Sequence, residues 1–245
     1  MELIRPDWPA PANVRALATA RVGGVSGGPY ASLNLGDHVG DATAHVAANR
    51  RRLRTAAGLP GEPGWLEQVH GSDMVSLPAV ASALRGDGAM TDRAGAVCAV
   101  LTADCLPVLL CDRAGTTVAA VHAGWRSLAA GILDNAVAAF ARAGIAAAEL
   151  LAWLGPAIGP AAYEVGDEVR AAFAADADAP GWQPNARGRW QCDLYTLART
   201  RLNAAGVPVV TGGGFCTHRE QARFFSHRRD GRCGRQATLI WLEPA

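Results

Sequence analysis

Short apolar runs cut by glycine, proline and aspartate dominate the centre of the chain. Residues 96–101, 106–111 and 117–121 are such runs, and their length and bounding turn residues predict strands. Asp112-Arg113-Ala114-Gly115 predicts a hairpin connection between the last two. Residues 14–20, Leu150–Leu154, 207–210 and 237–242 predict further strands, the second ended by Gly155-Pro156. Residues 42–58, 127–143, 167–175 and 194–205 have helical composition. In the second of these, Leu128, Ile132, Val137 and Phe140 are the apolar anchors and Gly144 the stop. Asp193 suits the N-cap of the last helix. The glycine-rich stretch 21–30 reads as an irregular loop, and residues 176–189 as the least ordered part of the chain. Hairpin spacing in the centre argues against a purely parallel sheet. The pattern predicts an α+β fold, one domain over residues 1–245 with helices covering a mixed sheet.

Composition narrows the function classes. Half of the 245 residues are hydrophobic and the formal net charge is +1. That supports a substantial core and gives no electrostatic footprint for nucleic acid or an anionic membrane. No apolar run approaches the roughly 20 residues that span a bilayer. All basic residues are arginine, which excludes a lysine Schiff base and a P-loop lysine. Arg50, Arg51, Arg52 and Arg54 read as a solvated helix face. Gly212-Gly213-Gly214 lacks the ending of a phosphate loop and reads as a flexible turn. The six cysteines contain no Cys-x-x-Cys pair, and the first residues lack a signal-peptide apolar region. The expectation is a cytoplasmic protein with free thiols. Oligomeric state is not legible from these features.

Three islands carry the chemistry: Gln68-Val69-His70-Gly71, Thr102-Ala103-Asp104-Cys105 and Val121-His122-Ala123-Gly124-Trp125-Arg126. Each offers one strong transition-metal ligand or nucleophile. Singly, a histidine or cysteine among apolar residues is more often structural. Antiparallel pairing of 106–111 with 117–121 would place Cys105 roughly opposite His122. Two chemistries follow. The pair could act as nucleophile and base. Or, with His70, it could bind zinc and leave a fourth position open for water or substrate. Arg126 stands before a predicted helix, and arginine beside a helix N-terminus suits a phosphate or carboxylate. Asp104 could orient a ligand, accept a substrate hydroxyl, or cap a turn. Arg228-Arg229-Asp230-Gly231 reads as a turn with two cations that could bind an anionic substrate.

These islands, with Gly23-Gly24-Val25-Ser26, Ser32-Leu33-Asn34-Leu35-Gly36, Gly155-Pro156-Ala157-Ile158-Gly159 and Phe224-Phe225-Ser226, resemble the YfiH/YlmD family over nearly the whole length. That family has been labelled laccase-domain or polyphenol oxidase and, more recently, purine nucleoside phosphorylase. Ser127 departs from the family's usual glycine, and His227 from the expected tyrosine. The resemblance implies a sandwich similar to the cytotoxic-necrotizing-factor catalytic domain. It also implies zinc ligands at His70, Cys105 and His122, and phosphorolysis of adenosine, inosine and methylthioadenosine with some adenosine deaminase activity. On this reading Cys105, His122 and Asp104 are catalytic, and Asn34, Arg126 and Arg228 bind purine nucleoside or phosphate.

Two other readings stay open. One is a Cys–His amide hydrolase that removes a wrong amino acid from a peptidoglycan precursor, as related bacterial proteins have been suggested to do. The other is a non-catalytic metal-binding module. A blue multicopper oxidase is a poor fit, because it draws on many histidines, several in His-x-His pairs. This chain has six histidines and no His-x-His. A single copper could replace zinc, as the affinity order allows.

Overall fold

The computed structural model describes residues 1–78, 84–173 and 179–243. Two sheets lie face to face. One has five strands: β1 (Leu3–Ile4), β2 (Val14–Thr19), β14 (Gln236–Leu242), β6 (Val97–Thr102) and β3 (Pro63–Gly64), in that spatial order. The other has six: β13 (Val209–Gly212), β9 (Leu150–Leu154), β7 (Leu106–Asp112), β8 (Val118–Ala123), β5 (Gly88–Thr91) and β4 (Met74–Ser76). The pairs β3–β6, β9–β13 and β4–β5 are parallel, and the other pairs in these two sheets are antiparallel. The mixed sheet expected from the hairpin spacing is therefore present, as two sheets rather than one. β10 (Glu164–Val165), β11 (Trp182–Pro184) and β12 (Trp190–Cys192) form a small third sheet.

Side-chain alternation along the strands sorts the core into layers. Cys98 and Val100 of β6 meet Leu109 and Cys111 of β7, Val118 and Ala120 of β8, and Trp153 of β9 between the two large sheets. The alternate residues face outward under helices. Val97, Ala99 and Leu101 of β6 pack with Leu53 of α1 (Thr43–Ala57). Leu106, Val108 and Leu110 of β7 and Val121 of β8 pack with residues of α2 (Trp125–Ala129), α3 (Ile132–Arg142) and α5 (Leu194–Ala204). The sequence supports this: β6, β7 and β8 are buried along their whole length, so both faces of each must be apolar.

Several expected boundaries move. The single helix over 127–143 is two helices, because Gly131 sits at φ 83° between α2 and α3, a left-handed conformation open chiefly to glycine. The first of them begins at Trp125, so Arg126 lies inside α2 rather than before a helix. Ser127 is fully buried there. The helix expected over 167–175 is α4 (Asp167–Ala171); positions 174–178 lie outside the described residues. Within 176–189, read as least ordered, Trp182–Pro184 pairs with β12, and only its first part lies outside the described residues. Arg50 is not solvated: it caps the carbonyl of Leu35, pairs with Asp37 at 3.3 Å and lies over Trp65. The Asp193 N-cap is present, accepting from the amides of Tyr195 and Thr196. The six cysteines are free thiols. Among the described residues no helix is long and apolar enough to cross a membrane.

Candidate metal and catalytic site

Alternation along β8 directs Val118, Ala120 and His122 into the gap between the sheets, with His122 at its end. Asp87 stands just before β5, the neighbour of β8. Its Oδ1 is 2.8 Å from His122 Nδ1, and its backbone oxygen accepts the His122 amide at 2.7 Å. The same carboxylate accepts the amides of Val69, His70 and Gly71 at 3.2, 2.9 and 2.6 Å. Three successive N–H groups turned onto one anion form a backbone nest, which holds His70 at φ 60°. Gln68 fixes the same loop to β6: its amide nitrogen donates to the Leu101 carbonyl at 2.9 Å and its oxygen accepts the Leu101 amide at 2.7 Å.

Cys105 closes the set from the start of β7. The ladder pairs Leu106 with Ala123 and Pro107 with His122, so the register is offset from the expected Cys105–His122 opposition and Cys105 falls across from Gly124. The thiol still reaches the imidazole past Gly124, where an added Cβ would lie 3.0 Å from Cys105 Sγ and 3.4 Å from His122 Nε2. The ligand atoms of His70, Cys105 and His122 lie within 4.8 Å of one another, and the two imidazole rings meet edge to face with centroids 4.8 Å apart.

Electrostatics favours the charged pair. Burial alone would raise the Cys105 thiol. The charge and hydrogen bond of His122, helped by His70, outweigh it and bring the thiol down to about 6. Burial would lower His122, but the Cys105 thiolate and the Asp87 carboxylate raise it to about 9. Burial likewise works against the Asp87 charge, and the hydrogen bonds from His122 and the nest amides hold it below the ordinary carboxylate value. The result is a thiolate, an imidazolium and a carboxylate in line. Asp87 occupies His122 Nδ1, so Nε2 is the nitrogen left for a metal or a reacting group. Ligand atoms up to 4.8 Å apart are somewhat wider than the roughly 3.5 Å edge of a tetrahedral site with bonds of 2.0–2.3 Å. The N, N, S set suits zinc or copper, and the donors would have to draw closer, at the exposed His70, to reach that spacing.

The three residues line a cleft of about 260 Å³ together with Gln68, Thr102, His38, His227 and Arg235. An expected binding residue, Asn34, and an expected catalytic residue, Asp104, act behind this cleft. Asn34 is fully buried; its oxygen accepts the amides of Gly36 and Arg235 at 3.0 and 2.9 Å. Asp104, at φ 92°, is buried with both oxygens engaged: Oδ1 accepts Thr217 Oγ1 and Oδ2 accepts the Arg228 amide, each at 2.6 Å. That strained conformation, held by two hydrogen bonds, sets the position of Cys105 beside it. Arg126 and Arg228 line a separate groove of about 430 Å³ with Tyr163, Glu164, Glu168 and Arg189. Arg126 lies over the Trp125 ring, and Arg228 donates to the Glu164 carbonyl. Arg229 is taken up by Asp230 and by the carbonyls of Thr217, His218 and Phe224. Sequence reading assigned no role to Asp87, although an acid between two glycines ahead of an apolar run, Gly86-Asp87-Gly88, is a usable signal. Arg235 carried no local signal.

Comparison with known proteins places this geometry. The family model described as multi-copper polyphenol oxidoreductase laccase matches residues 15–243. A Pseudomonas aeruginosa protein named purine nucleoside phosphorylase is 54% identical over 243 residues, covering 98% of each chain. Escherichia coli YfiH, of the same name, is 52% identical, covering 98% of this chain and 99% of its own. A solved Neisseria meningitidis structure aligns with a TM-score of 0.94 at 47% identity over 100% of both chains. YlmD from Geobacillus stearothermophilus aligns with 0.91 at 36%, over 99% of this chain and 100% of its own. The laccase description sits uneasily with the donor supply, since His38, His70, His122 and His227 are the cleft's histidines and no His-x-His pair exists. From residue 15 to 243, in sequence and in fold, the chain belongs to the YfiH family, whose members carry this laccase-type domain.

Proposed function

We propose that this protein is a zinc-dependent purine nucleoside phosphorylase, acting on adenosine, inosine and methylthioadenosine with a minor adenosine deaminase activity. The observation that carries the reading is the meeting of His70, Cys105 and His122 within 4.8 Å at one cleft, in a chain whose relatives at 52–54% identity are named purine nucleoside phosphorylases. Purine nucleoside and phosphate are then the small-molecule partners. The three residues hold the metal. Zinc bound there supplies a Lewis acid that polarises an oxygen or lowers the pKa of a water. In phosphorolysis a phosphate oxygen bonds to ribose C1′ as the C1′–N9 bond breaks; the electron pair leaves on the purine, which takes up a proton. Asp87 holds His122 with Nε2 facing the cleft, Gln68 and Asp87 hold the His70 loop, and Asp104 holds Cys105.

A second reading rests on a specific observation. A thiol near 6 beside an imidazolium backed by Asp87 is also the arrangement of a cysteine hydrolase, here an amide hydrolase acting on a peptidoglycan precursor. Metal analysis paired with nucleoside turnover in phosphate and phosphate-free buffer separates the two. The phosphorylase reading expects about one zinc per chain, most of it lost in Cys105→Ser, and inosine cleavage that requires phosphate. Unchanged zinc in Cys105→Ser removes the ligand assignment. Amide cleavage by metal-free protein selects the hydrolase, and no turnover of either substrate selects a metal-binding module.

A further inference from the structure

We propose that Arg235 and His227 form the inorganic phosphate subsite of the cleft that the three metal-ligand candidates also line. The proposal rests on the phosphorylase reading above and departs from the expectation that Arg126 holds the anion.

The cleft is built for negative charge. Among the described residues no aspartate or glutamate lines it, and Arg235 is its one fixed cation, with the Cys105 thiol also in its lining. The Arg235 stem runs over Gly36, where an added Cβ would lie 2.8 Å from its Cγ, so a side chain there would displace it. The buried Asn34 carboxamide takes the Arg235 amide at 2.9 Å. Its Nη1 donates to the carbonyls of Cys233 and Gly234 at 2.9 and 3.1 Å. These contacts fix the guanidinium plane and use one nitrogen. Nε and Nη2 make no hydrogen bond or ion pair to the described residues and remain for a ligand. Two free N–H groups on a fixed fork match two oxygens of a tetrahedral anion.

His227 adds selectivity. Its Nδ1 is 2.7 Å from the Gly231 carbonyl. A carbonyl only accepts, so Nδ1 carries the proton and Nε2 is the atom left to bond a ligand. A neutral imidazole nitrogen accepts a hydrogen bond, and monohydrogen phosphate has a P–OH to give. Sulfate at neutral pH has none. The Arg126 groove lacks these features. Its arginines share it with Glu164 and Glu168, whose charges oppose a dianion.

The test is calorimetric titration of the zinc-loaded protein with inorganic phosphate and with sulfate, alongside inosine phosphorolysis at varied phosphate. Arg235→Gln should weaken phosphate binding and raise its KM by about ten- to a hundredfold, the scale of a lost charge-assisted contact. Inosine KM and zinc content should stay close to those of the parent. Arg235→Lys, which keeps the charge and loses the fork, should fall between. His227→Phe should weaken phosphate more than sulfate, and with Arg235→Lys it carries the test if Arg235→Gln fails to fold. Phosphate binding that survives Arg235→Gln overturns the proposal, as does a loss that follows Arg126→Gln in its place. Phosphate held through Arg235 with no nucleoside cleavage would end the phosphorylase reading and keep the subsite. Phosphorolysis indifferent to Arg235→Gln would end the subsite and keep the reading.

Discussion

Asp87 and His122 are joined twice: the carboxylate meets the imidazole Nδ1 at 2.8 Å and the backbone oxygen of Asp87 takes the His122 amide at 2.7 Å. Because the same carboxylate gathers the amides of residues 69–71, one buried anion orients both candidate histidine ligands. Orientation by such a partner is what keeps a metal-binding imidazole in the right tautomer.

Asp87→Asn should therefore cost more than a charge. The amide must put its NH₂ either at the Oδ2 position, against the amides of Val69 and Gly71, or at the Oδ1 position, against the His70 amide as well as His122 Nδ1. In either case a buried donor faces donors, a penalty of about 1–3 kcal/mol. In the second, His122 must give up its Nδ1 proton, and Nε2 becomes a donor that cannot ligate. Zinc affinity measured by chelator competition should drop by about ten- to a hundredfold, with a lower melting temperature. Unaltered zinc affinity would separate Asp87 from the metal site.

The thiols should sort by environment. The thiolate is the reactive form. Cys105 titrates at about 6, with His122 overcoming its burial, while burial pushes Cys111 up to about 12 and drives Cys98 and Cys192 upward as well. In metal-free folded protein at pH 7, iodoacetamide should label Cys105 ahead of these three. The rate should rise with pH around 6 and level off well below pH 8. Zinc should suppress the labelling. After unfolding without reductant all six cysteines should be labelled, since none is bridged. A Cys105 rate that climbs only above pH 8 would contradict the ion pair.

What the sequence made legible follows from how local each signal is. β6, β7 and β8 lie within two residues of the apolar runs that predicted them, because burial on both faces leaves an unbroken hydrophobic stretch. The break at Gly131 was hidden in an alanine-rich stretch that suits a helix throughout. The register of β7 on β8 was misjudged because the turn at Asp112 takes in Thr116 and Thr117, whose amides its side chain binds. In the site, His70, Cys105 and His122 each stand in a compact island, so their residue types were readable. Arg235 was not, and Asp87 offered only its place between Gly86 and Gly88. Their roles exist only through contacts with residues 70, 122 and 34, made across the fold.

Gly124 offers the most selective probe of the site's spacing. Its φ of −61° is open to any residue, so alanine brings no backbone strain, and the position before α2 tolerates it at a modest capping cost. The obstacle is steric. The new methyl would sit 3.0 Å from Cys105 Sγ and 3.4 Å from both Cε1 and Nε2 of His122, closer than a carbon and a sulfur normally approach. The thiol and the imidazole have to separate, and His122 is the less free to move, since Asp87 holds it. Cys105 must yield, carrying Sγ away from Nε2. Gly124→Ala should then fold with a melting temperature within a few degrees of the parent, as expected for a cost of about 1 kcal/mol. It should retain much less zinc, and its Cys105 should titrate higher, because distance from the imidazolium removes the attraction that lowered it. Chelator competition and the alkylation profile read these two effects separately. If Gly124→Ala keeps both zinc and a low thiol pKa, then the loop from Asp104 to Leu106 has slack, and close approach past Gly124 is not what brings Cys105 to His122.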